Sequence, residues 1–176
     1  MSQARKISRI SLSSSTEDPL TLYQSILSMP GKISISAKQV KAMARELENG
    51  YNVYLNTDTG EYKALSDMEQ LSTEGLFHTD EHRKITDHWD HYIIISILES
   101  WELFEVMENF MFEVDSDFHY RLLEALYQTN PFERFQYLVE TSRYKEAWIS
   151  FKRQKFIQYV EDQLKAENIA LNSKST

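Results

Sequence analysis

Apolar positions along this chain recur with two periods, and the changes between them mark out the elements. Residues 1–18 are rich in serine and poor in apolar side chains, which predicts a disordered tail. Leu20, Leu22, Tyr23, Ile26, Leu27 and Met29 then predict a short helix or strand docking on the body, stopped by Pro30-Gly31. Ile33 and Ile35 alternate with polar residues as in a short strand. Ser36 stands three residues before Gln39, the capping-box spacing, and Val40, Met43, Ala44 and Leu47 follow at i, i+3, i+4 and i+7. That predicts a helix with one buried stripe, ended by Gly50, where a left-handed backbone costs glycine little. The period then falls to two. Val53 and Leu55 share a strand face, Thr57-Asp58-Thr59-Gly60 is a turn, and the chain returns through Leu65 as a hairpin.

Residues 66–90 are polar and acidic and read as a long irregular connection, whereas 92–98 is isoleucine-rich and β-branched, the mark of a buried strand. The helical period returns at Leu103, Val106, Met107, Phe110, Met111 and Val114, behind Ser100 as the predicted cap. Asp115 or Ser116 caps a further helix that buries Phe118, Leu122 and Leu126. Asn130-Pro131 begins another, with Phe132, Phe135 and Val139 inward. Ser142 opens a last long helix carrying Trp148, Phe151, Phe156, Val160 and Leu164. Strands grouped early and helices grouped late predict an α+β fold, a small antiparallel sheet (hairpin plus one further strand) packed with a helical C-terminal half. The expected organisation is a disordered tail over 1–18, a single α+β domain over 19–169 and a frayed tail over 170–176.

Val53-Tyr54-Leu55 followed by Thr59-Gly60-Glu61, Met107-Glu108 followed by Phe110, Phe132, Arg134 and Phe135, and Trp148-Ile149-Ser150-Phe151 occur in this order over about residues 35–169. On these motifs the chain resembles an uncharacterised bacterial family, number 158 in the uncharacterised-protein-family (UPF) series. Two positions depart from the family pattern. Thr129-Asn130-Pro131 replaces a glycine-rich lead-in, and Gln136 stands where a basic residue often follows. These departures count against a basic functional patch there. The resemblance implies the fold and a bacterial cytoplasmic setting, and it implies no activity.

Composition narrows the function classes. Nine Phe, three Trp and ten Tyr call for an aromatic core, and the absence of cysteine removes disulfides, thiolate metal sites and thiol chemistry while suiting a reducing compartment. No secretory signal is visible, and the longest apolar stretch is far shorter than a membrane span, so no membrane partner is expected. The net charge of −8 is concentrated in the middle. Residues 66–120 hold fourteen acids against Arg83 and Lys84, a balance of −12 that repels a phosphate backbone and favours a basic or polar partner. With four glycines, the chain has no phosphate-binding loop, nucleotide fingerprint or nucleophile elbow, so no cofactor is called for and a non-enzymatic role is expected.

Three constellations carry candidate chemistry. His78, His82, His88 and His91, interleaved with Asp80, Glu81, Asp87 and Asp90, could hold zinc, nickel or iron and support a metal-dependent enzyme. The plainer reading is a solvated acidic connection that happens to hold histidines. Glu102, Glu105, Glu108 and Glu113 on one helix could serve acid–base work, or simply form a solvated face and, with Arg134, an interaction surface. Arg143, Lys145, Lys152, Arg153 and Lys155, among Tyr144, Trp148, Phe151 and Phe156, could bind single-stranded nucleic acid, although the rings are needed for the core. The leading expectation is a binding or regulatory module that shows an acidic, aromatic-edged surface to a protein partner.

Overall fold

The computed structural model describes residues 33–66 and 80–172. The expected tail over 1–18 and the docking element over 19–29 lie outside these residues. Strand β1 (Ser34–Ser36) leads into helix α1 (Ala37–Glu48) through the expected capping box. The Gln39 N–H donates to Ser36 Oγ at 3.3 Å, and the Ser36 N–H donates to Gln39 Oε1 at 3.1 Å. The other half of that amide donates to the Gly60 carbonyl at 3.1 Å, which ties the start of α1 to the hairpin turn. Strands β2 (Asn52–Asn56) and β3 (Tyr62–Leu65) form that hairpin. Its turn is fixed by Asn56, whose side-chain oxygen accepts from the Asp58 and Thr59 N–H groups at 3.0 and 2.9 Å. Gly60 then adopts φ +74°, a conformation that strains any side chain.

β4 (Tyr92–Ile95) pairs antiparallel with the other edge of β2, giving the order β3-β2-β4. Because side chains alternate across a strand, Val53 and Leu55 face one core with Ile93 and Ile95, while Tyr54 turns to the other side with Leu65 and Tyr92. That second face is covered by helix α2 (Asp80–Asp87) through Ile85. The predicted irregular connection over 66–90 is therefore corrected in its second half. The helix offers the sheet a narrow contact stripe, Ile85 with His82 one turn earlier, too short for a hydrophobic period to register in the sequence.

Helices α3 (Ser100–Phe110), α4 (Ser116–Leu126), α5 (Pro131–Glu140) and α6 (Lys145–Ala166) complete the C-terminal half, and the fold is α+β as expected. Two helix starts differ from the sequence reading. Glu99, not Ser100, holds the N-cap of α3, with its N–H donating to the Glu102 carboxylate at 2.7 Å, so an acid does the work assigned to the hydroxyl. α6 begins at Lys145 rather than Ser142. The Ser142 hydroxyl instead accepts from the Tyr144 N–H at 3.0 Å and donates to the Val139 carbonyl at 2.8 Å, holding the turn that joins α5 to α6. Asp115 caps α4 as expected, accepting from the Phe118 N–H at 2.9 Å. Asn130 precedes α5 in a left-handed conformation (φ 57°), with Pro131 as the first helical residue.

Residues 170–172 are not frayed. Past Asn168 (φ 58°) the chain forms β5 (Ala170–Asn172), which pairs parallel with β1 in the register Ile35–Leu171. Two larger buried clusters result, beside the small one of Tyr54, Leu65 and Ile85 under α2. One joins α1, β2, β4 and the C-terminal half of α6 through Met43, Leu47, Val53, Leu55, Phe156 and Leu164. The other joins α3, α4 and α5 through Phe110, Phe118, Leu122, Phe135 and Val139. Trp148 and Phe151 on α6 pack against both, so this helix is the seam of the domain.

Candidate binding surfaces

The described histidines of this cluster, His82, His88 and His91, do not converge. His78 lies outside the described residues. His82 is 3% exposed, packed beneath the sheet, and its backbone carbonyl accepts from Thr86 Oγ1 at 2.9 Å. His88 and His91 are exposed, their rings 6.4 Å apart and edge to face. His91 Nδ1 sits 2.5 Å from Asp58 Oδ2 across the hairpin turn, and its Nε2 lies 3.5 Å from Asp90. Among the described residues no three imidazole or carboxylate groups come together as a metal site. Helical phase explains the separation: the sheet draws His82 inward with Ile85, and the chain has left α2 before His88.

Of the five basic candidates, Arg143, Lys152 and Lys155 are engaged within the fold. Lys152 pairs with Glu48 at 2.9 Å, linking α6 to the end of α1, and the Lys155 ammonium sits 5.2 Å from the Phe151 ring centre. Arg143 donates to Asp115 at 2.7 Å and lies over the Tyr144 ring. The Tyr144 hydroxyl donates to the same carboxylate, and its ring stacks on Phe118 at 5.1 Å. These contacts fasten the start of α4 to the start of α6. They hold the Asp115 carboxyl down at about 2, with the Tyr144 hydrogen bond the largest cause, then the Phe118 N–H, and Arg143 adding to both. Arg134, a candidate for the interaction surface, donates from Nε to the Thr129 carbonyl at 2.8 Å, steadying the turn before α5.

The acidic candidates of α3 divide by phase. Glu102 turns back to close the N-terminus of its own helix, and with Glu99 it faces Tyr159 on α6, where burial first and these two acids second push the phenol up. Glu105 is exposed and Glu108 half-exposed on the outer side. At about 100° per residue, Trp101, Glu105 and Glu108 fall within a sector of about 60°, and Phe112, on the 3-10 turn that continues the helix, lengthens the stripe to about 17 Å. Trp101 is 66% exposed and Phe112 76% exposed, so a large apolar ring stands at each end of this acidic stripe. Beyond Phe112 the aromatic edge continues. Its ring meets His119 at 5.6 Å, and His119 meets the exposed Tyr120 at 5.9 Å. His119 is itself oriented by a 2.7 Å hydrogen bond from Nδ1 to the Met111 carbonyl.

A second feature is concave. A groove of about 340 Å³ opens where the end of α1, the loop before α3, and helices α3, α5 and α6 converge. Leu103, Met107, Phe132, Phe135, Trp148 and Phe156 form its walls, and Glu48, Gln136, Glu140, Lys145 and Lys152 stand at its edge. Neither feature was fully legible in the sequence. Trp101 and Phe112 count as ordinary apolar residues until their phase, opposite the buried Val106 and Phe110, shows that they face water. The groove is built from five separate segments.

The chain matches no family model, no curated protein and no solved structure. Among the described residues no helix is long and apolar enough to cross a membrane.

Proposed function

We propose that this protein is a docking module whose α3 outer face receives a basic amphipathic segment of a protein partner. The observation that carries this reading is the pair of exposed rings, Trp101 and Phe112, set at the two ends of the Glu105–Glu108 stripe. Large aromatic side chains left in water forgo the stabilisation of burial, and at interfaces such rings act as anchors. Residues 99–120 contain seven acids and no Lys or Arg, so the field around these anchors attracts cations over the whole stripe. A partner helix with apolar residues about three turns apart and Lys or Arg between them would match both features.

Membership of the family numbered 158 rests on the order of the shared motifs. A bacterial cytoplasmic setting rests on that resemblance and on a cysteine-free chain suited to a reducing compartment.

Fluorescence anisotropy of a labelled amphipathic Leu/Lys peptide tests the docking surface, with the same peptide carrying Glu in place of Lys as control. The Lys peptide is expected to bind, more weakly as salt rises, and to lose affinity with Trp101→Ala or Glu105→Lys. Equal binding of both peptides, or indifference to both substitutions, would remove the proposal.

A further inference from the structure

The groove beneath Phe132 and Trp148 is separate from the α3 outer face and carries its own chemistry. Its volume, about 340 Å³, stands at the lower end of the range for small organic ligands, roughly 300–1,000 Å³. Leu103, Met107, Phe132, Phe135 and Trp148 give it apolar walls. Phe110 and Phe135, in tilted and edge contact with Trp148 at 5.0 Å each, fix the indole, and Phe132 keeps 39% of its surface in water.

Four charged side chains stand at the edge, two of each sign. Lys152 and Glu48 neutralise each other at 2.9 Å. Glu140 and Lys145 are left over. Glu140 accepts from the Gln136 amide at 2.8 Å, which leaves its charge uncompensated, and Lys145 is exposed. Neither forms an ion pair among the described residues, with the other or with a third group. Both are placed against the stability of their helices. Glu140 is the last residue of α5, where the helix dipole is negative, and Lys145 is the first of α6, where it is positive. Each helix end reinforces the charge of its own side chain, so the groove edge carries one negative and one positive pole. An anionic ligand would meet Glu140 as a like charge, and a cationic one would meet Lys145 in the same way. An uncharged ligand would leave both poles unanswered. A head that carries both charges satisfies the pair, and the walls call for an apolar body behind it.

We propose that this groove binds an apolar α-amino acid as its zwitterion, the side chain against Phe132, Phe135 and Trp148, the carboxylate on Lys145 and the ammonium on Glu140.

The chain holds three tryptophans, so the Trp89→Phe/Trp101→Phe double variant leaves Trp148 as the sole indole reporter. L-Phenylalanine, hydrocinnamate and phenethylamine share one apolar body, with both charges, the anion alone and the cation alone as their heads. L-Phenylalanine is expected to give a saturable change in Trp148 emission, with each single-charge probe about tenfold weaker, the loss of one hydrogen bond to a charged group. Lys145→Gln should bring L-phenylalanine down to the affinity of phenethylamine without weakening phenethylamine. Glu140→Gln should bring it down to that of hydrocinnamate without weakening hydrocinnamate. Both substitutions are on exposed residues and leave the core intact. Absence of a saturable response to L-phenylalanine would overturn the proposal. So would equal affinity for the three probes, or a loss on either substitution that falls alike on all three, since the two charges would then not be read by these residues.

Discussion

Replacing Phe110 by alanine tests whether the two larger buried clusters form one cooperative body. The ring is 0% exposed and lies 5.0 Å from Trp148, 5.4 Å from Phe151 and 6.3 Å from Phe135, centre to centre. Truncation removes the transfer energy of a large side chain and leaves a cavity that rigid neighbours cannot close, a loss of about 3–5 kcal/mol. Phe110→Leu keeps most of the volume and loses chiefly the ring-on-ring geometry, at about 2 kcal/mol. Domains of this size are stabilised by only about 5–15 kcal/mol in total, so both changes are large on that scale. Urea unfolding followed by far-ultraviolet circular dichroism would measure them, with the slope against urea reporting cooperativity. Because Trp148 and Phe151 pack against both clusters, Phe110→Ala and Met43→Ala, one substitution in each cluster, should lower the midpoint of a single shared transition. A loss under about 1 kcal/mol for Phe110→Ala would refute the packing argument, judged against large-to-small core substitutions. A split into two transitions, with only one moved by each substitution, would refute the seam.

Two further outcomes follow from local features. Asp115 titrates at about 2 in the folded protein against an ordinary 3.8, so its contribution to stability is complete above about pH 4 and disappears as the pH falls through 2. Urea midpoints measured across that window should fall less steeply in Asp115→Asn than in the parent, and identical slopes would show that the Tyr144 and Arg143 contacts do not act on this carboxylate. Ending the chain after Ile169 deletes β5 and uncovers Ile35, which is fully buried beside Leu171. The loss should be about 1–3 kcal/mol from burial, read as a lower thermal midpoint, whereas a frayed tail could be cut without effect.

The sequence revealed those parts of the fold in which local chemistry and burial agree. The Ser36–Gln39 box, the hairpin turn before Gly60 and the start at Asn130-Pro131 are each written within a few residues, and the structure keeps all three. It concealed what depends on distant partners. Nothing in Ala170–Asn172 names β1 as its neighbour, because a parallel pairing is specified by the helix that returns the chain, here α6. Helix α2 escaped notice because one face of a two-turn helix needs only His82 and Ile85. The histidines illustrate the converse. Close in sequence, they were drawn apart once His82 served the sheet and His91 served the Asp58 turn. The acids of α3 were visible as a set, but their division into Glu102, turned to its own helix end, and Glu105 and Glu108, turned to water, required helical phase fixed by the buried Val106 and Phe110.

The docking surface is tested most directly by selecting a displayed library of random peptides on the parent protein and, in parallel, on the Glu105→Lys/Glu108→Lys variant. The parent should enrich peptides in which apolar residues recur at helical spacing with Lys or Arg between them, and the variant should lose that enrichment. Peptides of acidic or neutral character, or the same set recovered from both proteins, would contradict the assignment of α3's outer face as the place where a partner binds.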